Sequence, residues 1–442
     1  MNGGTPSGRP GLGVGPEERR PLAASFLTFT LLLACYYILR PVRDGITATL
    51  GADSIKYLSS AVFAVMLLIV PIFGWLFVRV PRARLVPALY GFFIVNLGVF
   101  AFAFAGDVGR DAPGAWWSRA FYVWVTVFNM FAVSLFWSRM ADVWSEPQGR
   151  RFFGVVTAGG SLGGIAGPLL ARALVANISI SGLVWLSAAL LLGALVTLST
   201  IGRSQQAGTA TAPDAMSPDA AAPDAAGRAP TAGEPTMLAA LRGLWLIGRS
   251  PFLAGIAALV SVGSFLGMIV YIEMARFVAA AFPNAVERTT YYSTRDLWVN
   301  GIAFVLQFWV VGQVTRRLGV GPALIASGAV VLIAFVAVGF DPTLAILTGA
   351  SVTLRCAELG LAKPARDMLY TVVSPAAKYQ AKNVIDTALY RGSDMASGWL
   401  QALIGGLGVG LAGWGWIGAA LAGLLTTVAT LVGRAYRRRG GR

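Results

Sequence analysis

Apolar residues in this chain come in runs of about twenty, separated by short polar stretches that carry arginine. At roughly 1.5 Å per helical residue, each run is long enough to cross the hydrocarbon of a bilayer. Runs at 21–50, 55–78, 85–105, 116–143, 152–175 and 180–201 form one group. Runs at 251–282, 289–314, 321–340, 342–373, 381–403 and 409–432 form a second. The pattern predicts an all-α membrane protein with about twelve transmembrane helices in two six-helix bundles. Several runs exceed a straight crossing, which predicts tilt, kinks or protruding ends.

The polar stretches set the organisation. Residues 1–20 are rich in Gly and Pro and read as a disordered tail, and 434–442 as a basic tail. Residues 202–236 repeat Pro-Asp-Ala at Pro213, Pro218 and Pro223 and bury too little apolar surface to fold, so they read as a flexible linker. The bundles are then 21–201 and 237–433. Arginines gather on alternate connections, including Arg79, Arg82 and Arg84, Arg150 and Arg151, Arg316 and Arg317, and the carboxy-terminal cluster. The positive-inside rule then places both termini in the cytoplasm, in a bacterial inner membrane.

Composition removes other classes. The chain is 56% hydrophobic and 12% charged, which no soluble domain of 442 residues matches. Its net charge of +15 is spread over the ends of apolar runs, which fits a lipid bilayer as partner and argues against nucleic acid. Histidine is absent, and Cys35 and Cys356 lie inside apolar runs, so no metal site or disulfide framework is expected. There is no G-x-x-x-x-G-K-[ST] loop and no nucleophile with a base, so neither an ATPase nor another enzyme is expected, and no cofactor.

Charge inside the apolar runs is the candidate chemistry, because each such group costs roughly 2.5–3.5 kcal/mol on insertion scales. Arg40-Pro41-Val42-Arg43-Asp44 and Lys363-Pro364-Ala365-Arg366-Asp367 both read basic-Pro-x-Arg-Asp. The prolines should bend both helices, with the charges near opposite mouths of a cavity. The alternative is that Arg40 and Lys363 snorkel to headgroups and the Arg-Asp pairs sit at helix ends. Lys382 and Asp386 share a helix face, as do Arg391 and Asp394; Ser293, Asp296, Asn300 and Gln307 form a polar stripe beside Arg295. Glu273 and Arg276, Arg355 and Glu358, and Thr126 and Asn129 complete a polar interior suited to an anionic solute.

Two glycine patterns are similar to motifs of the major facilitator superfamily, a resemblance that implies two six-helix bundles of the major facilitator type. One is Gly74 with the basic loop at 79–84, echoed by Gly312 with Arg316 and Arg317; the other is Gly163-x-x-x-Gly167-Pro168, which would also serve plain helix packing. More specifically, the chain resembles the nucleotide transporter (ATP/ADP translocase) family and its bacterial relatives. The resemblance rests on 39–44, Gly51-Ala52-Asp53, Leu135-Phe136-Trp137, 150–154, Glu273, 364–369 and 381–386. It implies a secondary transporter working by alternating access on a nucleotide such as ATP or ADP, or another phosphorylated metabolite, alone or in exchange. The family's essential intramembrane charges match Arg43, Glu273 and Lys382, and a Lys-Glu pair becomes Arg366 and Asp367. Its fourth-helix glutamate has no counterpart, since that region reads Val125-Thr126-Val127. The expected substrate contacts are Arg40, Arg43, Lys363, Arg366 and Lys382. Asp44, Glu273, Asp296, Asp367 and Asp386 are the expected pairing or coupling acids. Proton-coupled transport of an unrelated metabolite, and a non-transporting receptor or scaffold, are the alternative readings.

Overall fold

The computed structural model of the protein describes residues 14–105, 116–209, 236–306 and 319–440. Helices dominate them. They are α1 (Pro16–Leu50), α2 (Ile55–Arg79), α3 (Arg82–Ala105), α4 (Trp116–Val143), α5 (Glu146–Thr209), α6 (Thr236–Arg249) and α7 (Pro251–Ala281). The chain continues through α8 (Ala285–Val305), α9 (Val320–Phe340), α10 (Leu344–Ala357), α11 (Lys363–Leu369), α12 (Pro375–Val384), α13 (Tyr390–Gly405) and α14 (Leu411–Arg438). Among the described residues there is no strand, and nine helices are long and apolar enough to cross a membrane. Within α5 the helix turns back at Ser179, whose φ of 62° and ψ of 176° leave the helical region, so α5 supplies two crossings. Leu68, Phe102, Ile333 and Phe340 are exposed on the outside, as lipid-facing residues of a multi-pass membrane protein are.

Several boundaries differ from those the sequence predicts. Residues 16–20 belong to α1 instead of a disordered tail, because Glu18 accepts from Gln148 at 2.9 Å and pairs with Arg151 at 3.2 Å. Helix α5 extends into the predicted linker as far as Thr209, and α14 takes in Arg434, Arg437 and Arg438 from the predicted basic tail. Most of the predicted linker, 210–235, lies outside the described residues. Helix α6 was not foreseen as an element; its Gly243 packs on α12, where a Cβ would fall 2.8 Å from the Gln380 carbonyl.

The tenth and eleventh predicted segments are each interrupted by a wider π turn, Glu358–Ala362 and Ile385–Leu389. Pro364 follows the first of these immediately, whereas Pro41 lies inside an unbroken α1. The helix is therefore irregular just before Pro364 and continuous through Pro41. π turns of this kind re-aim side chains and recur at functional sites.

One apolar core is built from α1 to α5, with Phe29, Phe128 and Phe136 among its buried rings. Two more are built almost entirely from α6 to α14. Small residues set the seam that carries the charged part of α1. A Cβ at Gly159, Gly163 or Gly167 of α5 would fall 2.6, 2.2 and 2.8 Å from backbone carbonyls of Phe26, Thr30 and Ala34. The two backbones touch there, and the Thr30 hydroxyl donates across the seam to the Gly159 carbonyl at 2.9 Å. The Gly163–Gly167 motif is thus accounted for by packing.

Side-chain contacts orient the assembly. The end of α1, the starts of α2 and α8 and the end of α7 meet: Arg288 donates to Thr49 at 2.7 Å, and Arg276 lies 3.5 Å from Asp53. At the same end Trp399, near the end of α13, donates to Ser60 at 3.0 Å. Arg439, after α14, covers the ring of Phe252 at the start of α7. Both ends of the described chain therefore lie together, opposite the α1–α8 junction, which is called the distal end below.

Candidate functional site

The first charged stretch points into the bundle. On α1, the Arg43 guanidinium donates to the Asp44 carboxylate through Nε and Nη2 at 3.1 and 2.7 Å, and through Nη1 to Thr126 of α4 at 3.4 Å. Its flat face lies over the ring of Tyr122. Helix α8 repeats the arrangement: Arg295 donates to Asp296 through Nε and Nη2, again at 3.1 and 2.7 Å, and covers Tyr292. The two units lock together. Arg295 Nη2 donates to Asp44 Oδ2 at 2.9 Å, and Arg40 Nε lies 3.5 Å from Asp296 Oδ2. The Tyr271 hydroxyl of α7 caps the set with a 3.4 Å bond to Asp44.

The result is a ladder in the order Arg40, Asp296, Arg295, Asp44, Arg43. Three guanidiniums face two carboxylates, leaving one positive charge uncompensated within it. Charges removed from water cost several kcal/mol each, and alternation of sign is what makes their burial tolerable. Asp296 Oδ2 has no hydrogen-bond partner, so Arg40 holds it only by charge.

A second polar cluster faces the ladder. Arg355 pairs with Glu358 at 3.2 Å, on the turn leading into the first π segment. Arg391 pairs with Asp394 at 3.3 Å, just beyond the second. Ser264 of α7 donates to Asp394 at 2.5 Å, and Ser393 donates to Ser261 at 3.0 Å. Arg355 lies within electrostatic reach of Tyr36 and Arg295, and Asp394 of Tyr122, so the two clusters share one interior.

The second charged stretch sits apart, at the end where the termini lie. Lys382 donates to Asp367 at 2.8 Å and covers the ring of Tyr370. Asp386 is exposed there, under the influence of Arg366, Lys382, Asp367 and Lys363. Exposure is high at this mouth and at Arg355 and Glu358 of the second cluster, 39% and 34%, and falls off only toward the ladder. It is 43% for Asp367 and 38% for Lys382, 26% for Arg391 and 17% for Asp394, and 13% for Arg43. At Asp296 it reaches 0%. The opening at the termini end thus reaches the second cluster and stops at the ladder, beyond which the distal contacts close the funnel.

The ten residues singled out from the sequence therefore divide into three groups. Arg40, Arg43, Asp44 and Asp296 come together in the ladder. Lys363, Arg366, Asp367, Lys382 and Asp386 come together at the mouth. Glu273 joins neither; it pairs with Arg276 at 3.1 Å, whose other end reaches Asp53 in the distal contact. Gln307 lies outside the described residues. Arg295, Arg355, Arg391 and Asp394 were seen in the sequence as polar residues but not as site members. A usable signal existed for Arg295, because Arg295-Asp296 repeats the Arg-Asp dipeptide of 43–44 and 366–367.

No protein-family model and no curated protein matches the chain. Solved structures do match over nearly its whole length. A POT family transporter crystallised with a thioalcohol-conjugated peptide aligns with a TM-score of 0.63 at 13% identity, covering 94% of this chain and 96% of that one. A bacterial homologue of the iron transporter ferroportin, in an inward-facing state, aligns at 0.61 and 13% identity, covering 94% and 98%. The human organic anion transporter MFSD10 (TETRAN) aligns at 0.53 and 14% identity, covering 94% and 100%. The chain has the fold of major-facilitator-type transporters.

Proposed function

We propose that this protein is a secondary transporter for an anionic solute, working by alternating access, with a nucleotide such as ATP or ADP, or another phosphorylated metabolite, as the solute. The observation that carries the reading is the ladder between α1 and α8. It joins the two halves of the bundle through charges, and it keeps one guanidinium more than its carboxylates can neutralise. Arginine presents paired N–H groups that match phosphate oxygens, and Arg43 Nη1 faces only the neutral Thr126 hydroxyl. An anion entering the funnel would compete with Asp44 for Arg43 and Arg295, loosening the contact that holds the halves together. That competition is a physical route from binding to a change of access.

The matched folds include a transporter crystallised with a conjugated peptide, a homologue of an iron transporter and an organic anion transporter, so the fold leaves the solute open and the site selects it. The resemblance to the nucleotide transporters supports the phosphorylated class through Arg43, Lys382 and 364–369. The family's fourth-helix acid has no counterpart, and in that region the neutral Thr126 stands beside Arg43, so the chain departs from the family's charge set where ATP/ADP exchange depends on it. Uptake of labelled ATP, ADP and phosphate into proteoliposomes, empty or counter-loaded with each, tests the reading. Saturable uptake reduced at least tenfold by Arg43→Ala is expected. No uptake of any phosphorylated anion under any counter-load would overturn it.

A second reading, proton-coupled transport of a different metabolite, draws on Asp394. It is a carboxylate within the funnel, held by Ser264 and Arg391 and absent from the family's charge set. A pH gradient driving uptake of a non-phosphorylated solute, with loss of accumulation in Asp394→Asn, would favour it.

A further inference from the structure

Beside the second polar cluster lies a cavity of about 70 Å³ that neither the ladder nor the mouth uses. Leu259 of α7, Leu324 and Val331 of α9 and Leu425 of α14 form its walls, so most of what it offers a guest is hydrocarbon. Small residues keep it open: Gly263, Ala357, Ala362 and Ala429 face it where larger side chains would close it. A Cβ added to Gly263 would meet nothing within 4 Å. Ala362 ends the first π turn, which widens the helix along this wall.

Its polar groups are few and partly spent. Ser264 donates to Asp394 at 2.5 Å and Ser327 to the Leu324 carbonyl at 2.7 Å, so neither offers a proton to the cavity. Glu358, Arg366 and Tyr390 are the remaining polar residues of the lining. Glu358 is 34% exposed where the funnel reaches it and pairs with Arg355 there. The cavity therefore has apolar walls and one charged rim, and the rim is where it meets the funnel. Close-packed interiors keep few voids larger than a water molecule, and a water needs two to four polar partners to be held in one. An apolar guest needs none and gains by leaving water. The volume is about half that of the roughly 150 Å³ cavity that accepts benzene, which suits about three carbons and excludes a nucleobase.

Every residue of the lining belongs to the second half, on α7, α9, α10, α11, α13, α14 and the π turn. The ladder, by contrast, is shared by both halves. A group seated in the cavity would move with the second half when the halves part, and would keep the same walls in either state of access. We propose that the cavity binds a compact apolar group of the solute, an alkyl group of about three carbons, while the charged end stays in the funnel beside Arg355. The inference deepens the transport reading and rests on it for the charged end. Among phosphorylated metabolites it selects one with a short alkyl group over a nucleotide. Gly263 is then a specificity-determining position, because its missing side chain sets the depth of the cavity.

Thermal stabilisation of the purified full-length protein in a maltoside detergent provides the test. It is titrated with methyl, ethyl, propyl, butyl and hexyl phosphate and with the n-alcohols of the same lengths. Inorganic phosphate and pyrophosphate are the references without an alkyl group. The half-saturating concentration should fall about fourfold per added methylene up to about three carbons, the gain for burying one methylene, and no further beyond butyl. Gly263→Leu fills the cavity and should abolish the dependence on chain length. Gly263→Ala adds a carbon where there is room and favours the helix, so it should melt no lower than wild type and lose about one methylene of the gain. Gly423→Leu, on α14 outside the cavity, should keep the full dependence. A dependence on chain length that survives both Gly263 variants overturns the proposal, as does its absence in the wild type. A gain that continues unbroken through hexyl also overturns it, and would assign the cavity to the acyl chain of a lipid. Failure of the transport reading would look different: the chain-length dependence intact with the alcohols, no contribution from the phosphate end of the esters, and no uptake in proteoliposomes.

Discussion

Arg295 Nη2 of α8 lies 2.9 Å from Asp44 Oδ2 of α1, with side-chain exposures of 6% and 1%. Each residue also belongs to an Arg-Asp unit of its own helix, so the contact couples two preformed pairs across the interface between the halves. Removing one partner from such a buried pair leaves an unpaired charge and costs about 3–5 kcal/mol, while removing both is much cheaper. Asp44→Asn and Arg295→Gln should therefore each lower the melting temperature strongly. The double variant should lose less than the sum of the two single losses, but it should not return to wild type, because Arg43 and Asp296 each lose their own partner in it. Simple additivity of the two losses would mean that the pair is not coupled.

Thr126 occupies the place beside Arg43 where an acid would neutralise the ladder's surplus charge. Thr126→Glu should draw Arg43 Nη1 into an ion pair and remove the electrostatic attraction for an incoming anion. The expected outcome is at least a tenfold rise in the phosphate or nucleotide concentration giving half-maximal uptake, with Thr126→Gln close to wild type. Unchanged apparent affinity in the Glu variant would place anion recognition away from Arg43.

Gly163 tests how the ladder is positioned. A methyl group there would fall 2.2 Å from the Thr30 carbonyl, so α1 and α5 would have to separate. Overpacking of this kind costs about 1–3 kcal/mol. Gly163→Ala should lower thermal stability by that order and reduce uptake, because α1 carries Arg40, Arg43 and Asp44. Gly91→Ala, where the added carbon meets nothing within 4 Å, is the matched control and should melt like wild type.

The membrane crossings were legible because twenty consecutive apolar residues have few other uses, and α2, α3 and α4 follow the predicted runs closely. The start of α1 was not, since Glu17, Glu18, Arg19 and Arg20 look soluble until Arg151 and Gln148 are brought to them by the fold. The π turns before Lys363 and before Tyr390 escaped for a related reason. Widening a helix by one residue leaves no periodic mark in the sequence. Charged residues were individually visible, and their costs marked them as functional candidates. Their partners were not, because Asp296 reads as part of a stripe on its own helix and only the packing of α8 on α1 brings Arg40 to it. The sequence predicts the two basic-Pro-x-Arg-Asp stretches near opposite mouths of a cavity. In the fold one is sealed in the interface between halves and the other lies open at the mouth.

The distal contact can be locked chemically. A carbon added to Gly398 of α13 would lie 3.5 Å from the Lys56 Cβ of α2, within the Cβ separation of a disulfide. Lys56 and Gly398 come from opposite halves, beside Trp399, which donates to Ser60 and carries the Lys56 ammonium over its ring. Both native cysteines, Cys35 and Cys356, are buried and free, so they should not compete for the bond. The Lys56→Cys/Gly398→Cys variant should cross-link under mild oxidation, stop uptake in proteoliposomes and regain it on reduction, if the distal end must open once in each cycle. Pyrophosphate-dependent stabilisation should survive in the oxidised protein, because the funnel still opens at the other end. Full uptake by the cross-linked variant would mean that the halves do not part there, and alternating access through this contact would be abandoned.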